Sequence, residues 1–439
     1  MKEITFNKNN ILLFFVLLLS ILPVIKLGGF EIPFLYLLLP FGVFILIYIF
    51  LGWYKIPKIA RLLILFFLLI ILEIFLSALY GTVSVLGGFI FPSDILQYVV
   101  RFITMLSFIV VFYYRKVDAD IFIKYFLLFL NIGMLIGFLQ WIPWPGRELL
   151  VKLYPFYNIT YQMDQLSNTM SGIRVHGLAQ HATANGGLAT FFFAFGFSVF
   201  KFYKKYKLLS ISLIILSIIN IFASQARAGM LALVFSIFVF YLISIYVNRK
   251  SFKPTFYVVI VSFFIYIIIL FLYKNGNPFI EKMVYRWQVL IFEEKGGGRV
   301  DQFYYFLSFL RNPLDYLLGL SKQVVNQSAI SFGIEIEPAN IFVTYGIVGF
   351  ILQYSLVLIL LIYFLKGMRK AIQNKASLTL LVAAFVGLAS YQIFSVGYYF
   401  FREIRVGLFP WILIGVAIGV YEKTKNRAKL KNNKYQECR

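Results

Sequence analysis

Cysteine is almost missing from this 439-residue chain: the single one, Cys438, stands in a basic C-terminal stretch. That excludes an intrachain disulfide and a thiolate metal cluster. Histidine is nearly as scarce, with two residues, His176 and His181. Their five-residue spacing does not stack the rings on one helix face as an i,i+4 pair would, so a metal pair gains little support. Charged residues make up 13%, and no G-x-x-x-x-G-K-[ST] occurs, so ATP binding is not expected. There is no repeat at a solenoid period and no low-complexity tract beyond the basic end KTKNRAKLKNNKYQECR. No polar stretch is long enough to form a soluble domain.

What the chain does have is apolar sequence: 61% hydrophobic residues and 51 Phe, with mean hydropathy +0.85. A soluble core of this size needs far less, so lipid is the expected solvent. A helix bundle banded by interfacial Tyr and Trp suits the 20% aromatic content. A formal charge of +23 would suggest nucleic acid in a soluble protein. Here most of the excess falls in short loops and the tail, where it sets topology and meets anionic membrane lipid, so no nucleic-acid partner is expected.

Runs of about 20 apolar residues predict about twelve spans, near 10–27, 33–52, 61–80, 97–114, 121–143, 184–202, 207–223, 229–247, 255–273, 339–365, 377–398 and 404–421. The expected fold class is all-α, a single polytopic membrane domain over 1–439. The opening MKEITFNKNN and ILLFFVLLLSILPVI is followed by no small-residue cleavage site, so it reads as the first span. Loops around Lys55/Lys58/Arg61, Arg115/Lys116, Lys201–Lys207, Arg249–Lys253 and Lys366–Lys375 are dense in cations and alternate with weakly basic ones. The positive-inside rule then puts both termini, including a basic tail over 422–439, in the cytoplasm. Two segments on the opposite side are long enough to have structure of their own, 144–183 and 274–338. Each is expected to pack on the bundle and roof a cavity.

Arg174, Arg227 and Arg299 fall on that opposite side, against the sorting bias, so each is a candidate for binding an anion. Arg174 sits in SGIRVHGLAQHATANGG with His176, His181 and Asn185; a phosphate clamp with a proton-passing His is one reading, a solvated interfacial loop the other. Arg227, in SQARAGM, has almost no loop to escape into, so its guanidinium lies at the membrane surface or points into a cavity; snorkelling to headgroups is the plainer reading. Arg299 and Asp301 follow three glycines, which allow close backbone approach to a ligand or simply make a loose loop. Arg311, before Pro313, has a structural alternative as a helix end. Glu335 and Glu337, in GIEIEPAN, fit either the N-terminal dipole of the next helix or a general base beside arginines. Arg402, Glu403 and Arg405 in the last turn rank below these. Arg101, inside a span, is the residue that best fits a transporter.

Taken together these stretches resemble the O-antigen polymerase and O-antigen ligase superfamily. The resemblance covers most of the chain in organisation and short stretches in sequence. An R-x-x-G before a polar cluster and span is matched by Arg174, Gly177 and Asn185; a Ser-Arg-Gly/Ala turn, loosely, by Ala226-Arg227-Ala228; the Arg opening the large loop by Arg299. Asn312-Pro313-Leu314 with Gly319 partly match an N-P-L…G-x-G stretch; Ala339-Asn340 match the His-Asn that begins the span after the loop, and Gly346-Ile347-Val348-Gly349 the Gly-Leu-x-Gly turn that follows it. The resemblance implies a helical fold related to the GT-C glycosyltransferases, at the outer face of the bacterial inner membrane. It implies a glycan donor on undecaprenyl diphosphate, no nucleotide sugar, cofactor or obligatory metal, and a chain-length regulator protein as partner. Arg174, Arg227 and Arg299 would hold the diphosphate. Glu337, Glu335 or His181 would take the acceptor proton, with His176, Asn185, Arg311 and Asn340 in support. Ligase-type members commonly carry His where this chain has Ala339, which favours a repeat-unit polymerase over a ligase; a lipid-linked oligosaccharide flippase is the rival from another class.

Overall fold

The computed structural model describes residues 8–23, 25–27, 30–32, 34, 36, 39–52, 56–114, 117–154, 174–248, 267–268, 270–288, 299–327, 334–401, 403 and 406–437. In lipid every backbone N–H and C=O must find its partner within the segment, so apolar runs become helices. They are α1 (Lys8–Leu19), α2 (Leu39–Leu51), α3 (Lys58–Leu86), α4 (Asp94–Tyr114), α5 (Ala119–Trp141), α6 (Arg147–Leu153) and α7 (Ala182–Ser198). A π-helical turn, Val199–Tyr203, extends α7. Then come α8 (Lys207–Ala223), α9 (Arg227–Asn248), α10 (Pro278–Gln288), α11 (Arg299–Leu307), α12 (Pro313–Leu318), α13 (Ser321–Gln327), α14 (Glu337–Lys370), α15 (Lys375–Ser395) and α16 (Leu408–Glu437).

Seven helical stretches among the described residues are long and apolar enough to cross a membrane: α3, α4, α5, Ala182–Tyr203, Arg227–Val247, α14 and α15. Asn10–Leu19 and Lys207–Ala223 are apolar but shorter. The chain is a helical membrane protein. Leu62, Leu65, Leu69, Leu72, Leu76, Leu79 and Val83 recur at helical spacing along α3 and are exposed, the stripe a lipid-facing helix presents. α7, by contrast, is buried nearly all round, packed against α8, α9 and α15. The apolar start of α16 lies against α4 and α15.

The first and last expected spans each depart from the sequence reading at an end. The first stops at Leu19, where the Ser20 hydroxyl donates to the Leu17 carbonyl at 2.6 Å and Pro23 cannot continue a helix. Residues 25–27 are instead extended: β1 (Ile25–Leu27) pairs antiparallel with β2 (Phe30–Ile32), Ile25 opposite Ile32. The last begins at Leu408 rather than 404 and runs on through the expected tail to Glu437. Most of the span expected near 255–273 lies outside the described residues.

α14 is interrupted at Gly346, whose φ of 63° and ψ of −169° leave the helix. The carbonyls freed by the break are taken from outside: Leu320 N–H donates to Val343 O at 2.9 Å, and the Ser77 hydroxyl of α3 donates to Thr344 O at 2.7 Å. Gly346 is required twice over, by its positive φ and because a Cβ there would lie 2.2 Å from Leu317 O. Gly319, also at positive φ, faces it: a Cβ there would lie 2.4 Å from Thr344 O. Around this joint α12 and α13 pack on α3 and α14. Phe306, Leu310, Leu320, Val324, Val325, Ile334 and Val343 make a small apolar cluster of their own.

Candidate functional site

The stretch before α7 is clasped to the turn between α8 and α9. Val175 N–H donates to Ala223 O at 3.1 Å. Arg174 Nε donates to Ser224 O at 3.1 Å, and its Nη2 donates to Thr183 Oγ1 at 3.0 Å. The guanidinium thus joins a loop, a turn and the first turn of α7. In the turn itself Gln225 takes φ 51°, and Arg227 follows as the first residue of α9, half-buried. α9 enters the bundle closely, because a Cβ on Gly229 would meet the Gly186 backbone at 3.0 Å.

His181 caps α7. Its Nδ1 accepts from Thr183 N–H at 3.2 Å, and its ring stacks on Tyr398 with centroids 5.0 Å apart. With Nδ1 accepting, the neutral ring carries its proton on Nε2, so that nitrogen donates rather than accepts. Next to it, Gln180 N–H donates to the Glu403 carboxylate at 3.0 Å. Glu403 is buried.

Glu337 opens α14, with Pro338 at the second helical position, where the missing N–H costs nothing. It is buried, and its carboxylate accepts from the Tyr391 hydroxyl. Tyr391 in turn stacks on Phe401, 3.7 Å between centroids. Ala228, next to Arg227, abuts Gly397. The 391–403 stretch therefore touches the starts of α7, α9 and α14, and gathers Arg174, Arg227, His181, Glu337 and Glu403 at one end of the bundle. Glu335 precedes by two residues and is half-buried.

Other residues singled out from sequence have framework contacts. Asn185 is fully buried and donates to Val175 O and to Asn220 Oδ1, both at 3.2 Å. Asn220 donates onward to Met134 O at 2.8 Å, so the pair ties α5, α7 and α8. His176 Nε2 donates to Tyr154 O at 2.6 Å, fixing the end of α6. Asn340 Nδ2 donates to Ile334 O at 3.1 Å. Arg311 lies in a different neighbourhood: its backbone N–H donates to Asp315 Oδ2 at 2.7 Å, and its side chain is exposed. Asp315 also accepts from the Tyr80 hydroxyl at 2.7 Å. Burial pushes the Asp315 carboxyl up, but the bonds from Tyr80, Asn312 and Arg311 and the Arg311 charge outweigh it and hold it below its ordinary value. Arg299 opens α11; its side chain lies outside what the structure describes.

Sequence reasoning passed over Thr183, Ser224, Tyr391 and Tyr398, the groups that hold the charged residues in place. Only their closeness in sequence to Arg174, Arg227 and Glu403 could have marked them. Among the described residues no three of His, Cys, Asp and Glu gather as a metal site would require. No known family model matches the chain, and no curated protein matches it. What the site offers chemically is two guanidiniums, two buried carboxylates and a stacked imidazole at one end of a membrane bundle.

Proposed function

We propose that the chain polymerises oligosaccharide repeat units carried on undecaprenyl diphosphate, at the outer face of the bacterial cytoplasmic membrane. The observation that carries this reading is the convergence of Arg174 and Arg227 with Glu337 around the 391–403 stretch. On this reading the bundle is GT-C-like with twelve spans, both termini are cytoplasmic, and the arginine end faces outward. A lipid diphosphate is a leaving group whose negative charge grows in the transition state. Guanidiniums fixed in advance stabilise it without reorganising. Arg174, locked by Ser224 and Thr183, is such a group, and Arg227 is the second; Arg299 is the third member of the clamp.

The acceptor hydroxyl, on the sugar of the next lipid-linked unit, attacks the anomeric carbon from the face opposite the diphosphate and inverts it. The carbon–oxygen bond to the diphosphate breaks, and the hydroxyl proton passes to a carboxylate. Glu337 is the favoured base and Glu335 the alternative. His181 fits better as a hydrogen-bond donor to the glycan, since Nδ1 already accepts. No metal or cofactor is invoked. A chain-length regulator and membrane lipid are the partners this role implies.

Ligation of the glycan to lipid A-core is less favoured because Ala339 stands where ligase-type relatives carry His. A flippase gains support from one observation, the burial of Arg101 within α4. Deleting the gene and running the surface glycan on a gel separates the three. Single repeats without a ladder support polymerisation. Bare lipid A-core with long lipid-linked chains means ligation, and inward-facing single repeats mean flipping. An unchanged ladder sinks all of them.

A further inference from the structure

A second group of ionisable side chains lies within the membrane-crossing helices themselves. Glu73 of α3 is 4% exposed, and Asp94 and Arg101 of α4 are 1% and 4% exposed. The Tyr345 hydroxyl of α14 donates to Asp94 Oδ2. Glu73 comes up against the same turn of α14: a Cβ built on Gly349 would lie 3.4 Å from Glu73 Cγ and 3.5 Å from Tyr345 Cγ. Tyr98 meets Tyr345 edge-on, 6.4 Å between centroids, and donates to Gln353 Oε1 at 2.9 Å. Arg101 sits 5.6 Å from the Tyr98 ring centroid and donates to Gln97 Oε1 at 3.3 Å. Glu73 Oε1 and Asp94 Oδ1 are sealed from solvent and accept no hydrogen bond.

Two carboxylates against one guanidinium leave one negative charge in a water-excluded place, where an uncompensated ion is costly. A polar oxygen that is buried and unsatisfied calls for a partner. A single uncompensated negative charge is matched by a monovalent cation rather than a divalent one. We propose that Glu73 and Asp94, which flank Tyr345, take up one monovalent cation, a proton or a sodium ion. The other ionisable groups around them are Tyr98 and Arg101 on α4 and, farther along α3, Tyr80 with Asp315 of α12; α13, which also packs on α3, carries Lys322. Tyr36 lies close enough to Arg101 to feel its charge. Tyr345 immediately precedes the break in α14, and α14 begins with Glu337. Cation occupancy therefore acts on the joint that carries a residue of the candidate site, whichever reaction that site performs.

The test is the melting temperature of the full-length protein in detergent, since a bound cation stabilises by mass action. Wild type and Glu73→Gln are compared across pH without sodium, and across sodium at fixed pH with choline replacing it. The proposal expects a dependence in one arm for wild type that Glu73→Gln loses. The pH arm identifies a proton and the sodium arm a sodium ion. Curves for the two proteins that stay parallel in both arms overturn it.

Should Glu73→Gln not fold, wild-type membranes are treated with a hydrophobic carbodiimide. The acid's oxygen bonds to the carbodiimide carbon, its proton passes to nitrogen, and an acyl shift leaves a stable N-acylurea. An adduct on Glu73 or Asp94 that declines as pH rises, or as sodium replaces choline, supports the site. An adduct insensitive to both, or none where the denatured chain is labelled, overturns it.

Discussion

Two regions hold themselves on the bundle in different ways. At the arginine end, side chains clasp backbone: Arg174 bonds to Ser224 O, Asn185 to Val175 O, and Gln180 N–H to Glu403. At the joint in α14, backbone clasps backbone, with Gly319 against Gly346 and Leu320 N–H on Val343 O. The joint has little room for chemistry because its polar groups are consumed in holding a broken helix. The arginine end keeps Arg174 in a fixed position, half-buried and partnered by a carbonyl and a hydroxyl that compete weakly. That is the arrangement from which an anion can draw a guanidinium's remaining donors.

The comparison breaks first at the joint. Gly346→Val puts a branched side chain at positive φ and onto Leu317 O. The expected cost is ~3 kcal/mol or more, seen as loss of monodisperse protein in detergent. Unchanged yield and melting would mean the joint is not rigid. Next, Arg227→Ala should lower polymerisation by roughly 10²–10³-fold with insertion and melting temperature intact. Normal chain extension by that variant removes Arg227 from the clamp. Arg174→Ala should lose activity and stability together, since two framework bonds go with it. A stability loss of about 1–3 kcal/mol is expected, read by thermal unfolding beside the activity assay.

Asn185→Ala sharpens the contrast. Its amide serves α7 and α8 rather than a ligand, so about 1–2 kcal/mol of stability should be lost while the pH profile of activity stays put. The smallest effect is expected at Asp315. Its carboxyl is held below the ordinary value, so its contribution is present above the unfolded value and disappears as pH falls through the lower folded one. Asp315→Asn should flatten that acid limb of the melting curve and leave the alkaline limb alone.

The membrane helices were legible because apolar length is a strong signal. The spans from 97–114 to 229–247 match within about two or three residues, the usual uncertainty at helix ends, while α3 and α14 run five or six residues past their expected ends. The shortened first helix was harder to see, since Leu and Ile continue past Ser20 and only Pro23 warns of the stop. The break in α14 was marked only by the resemblance, in which Gly346-Ile347-Val348-Gly349 stands for a turn; by composition it reads as ordinary apolar sequence, and contact with Gly319 gives the turn its meaning. At the site, Arg174 and Arg227 stood out because cations are rare on the side of the membrane opposite the basic loops. Asn185 and His176 stood out as polar neighbours of Arg174 in the same stretch, yet their partners lie on other elements, Val175 O and Asn220 Oδ1 for one and Tyr154 O for the other, which a sequence cannot reveal. Glu73 was passed over inside LLIILEIFLS, although a lone carboxylate in a long apolar run was the available clue.

The most direct measurement is chain extension by the purified protein in liposomes. Undecaprenyl-diphosphate-linked repeat units from the host are the only substrate, and products are resolved by size. A ladder of lipid-linked chains that collapses to single units with Arg227→Ala is the predicted result. Single units left untouched by folded wild-type protein would contradict the polymerase reading.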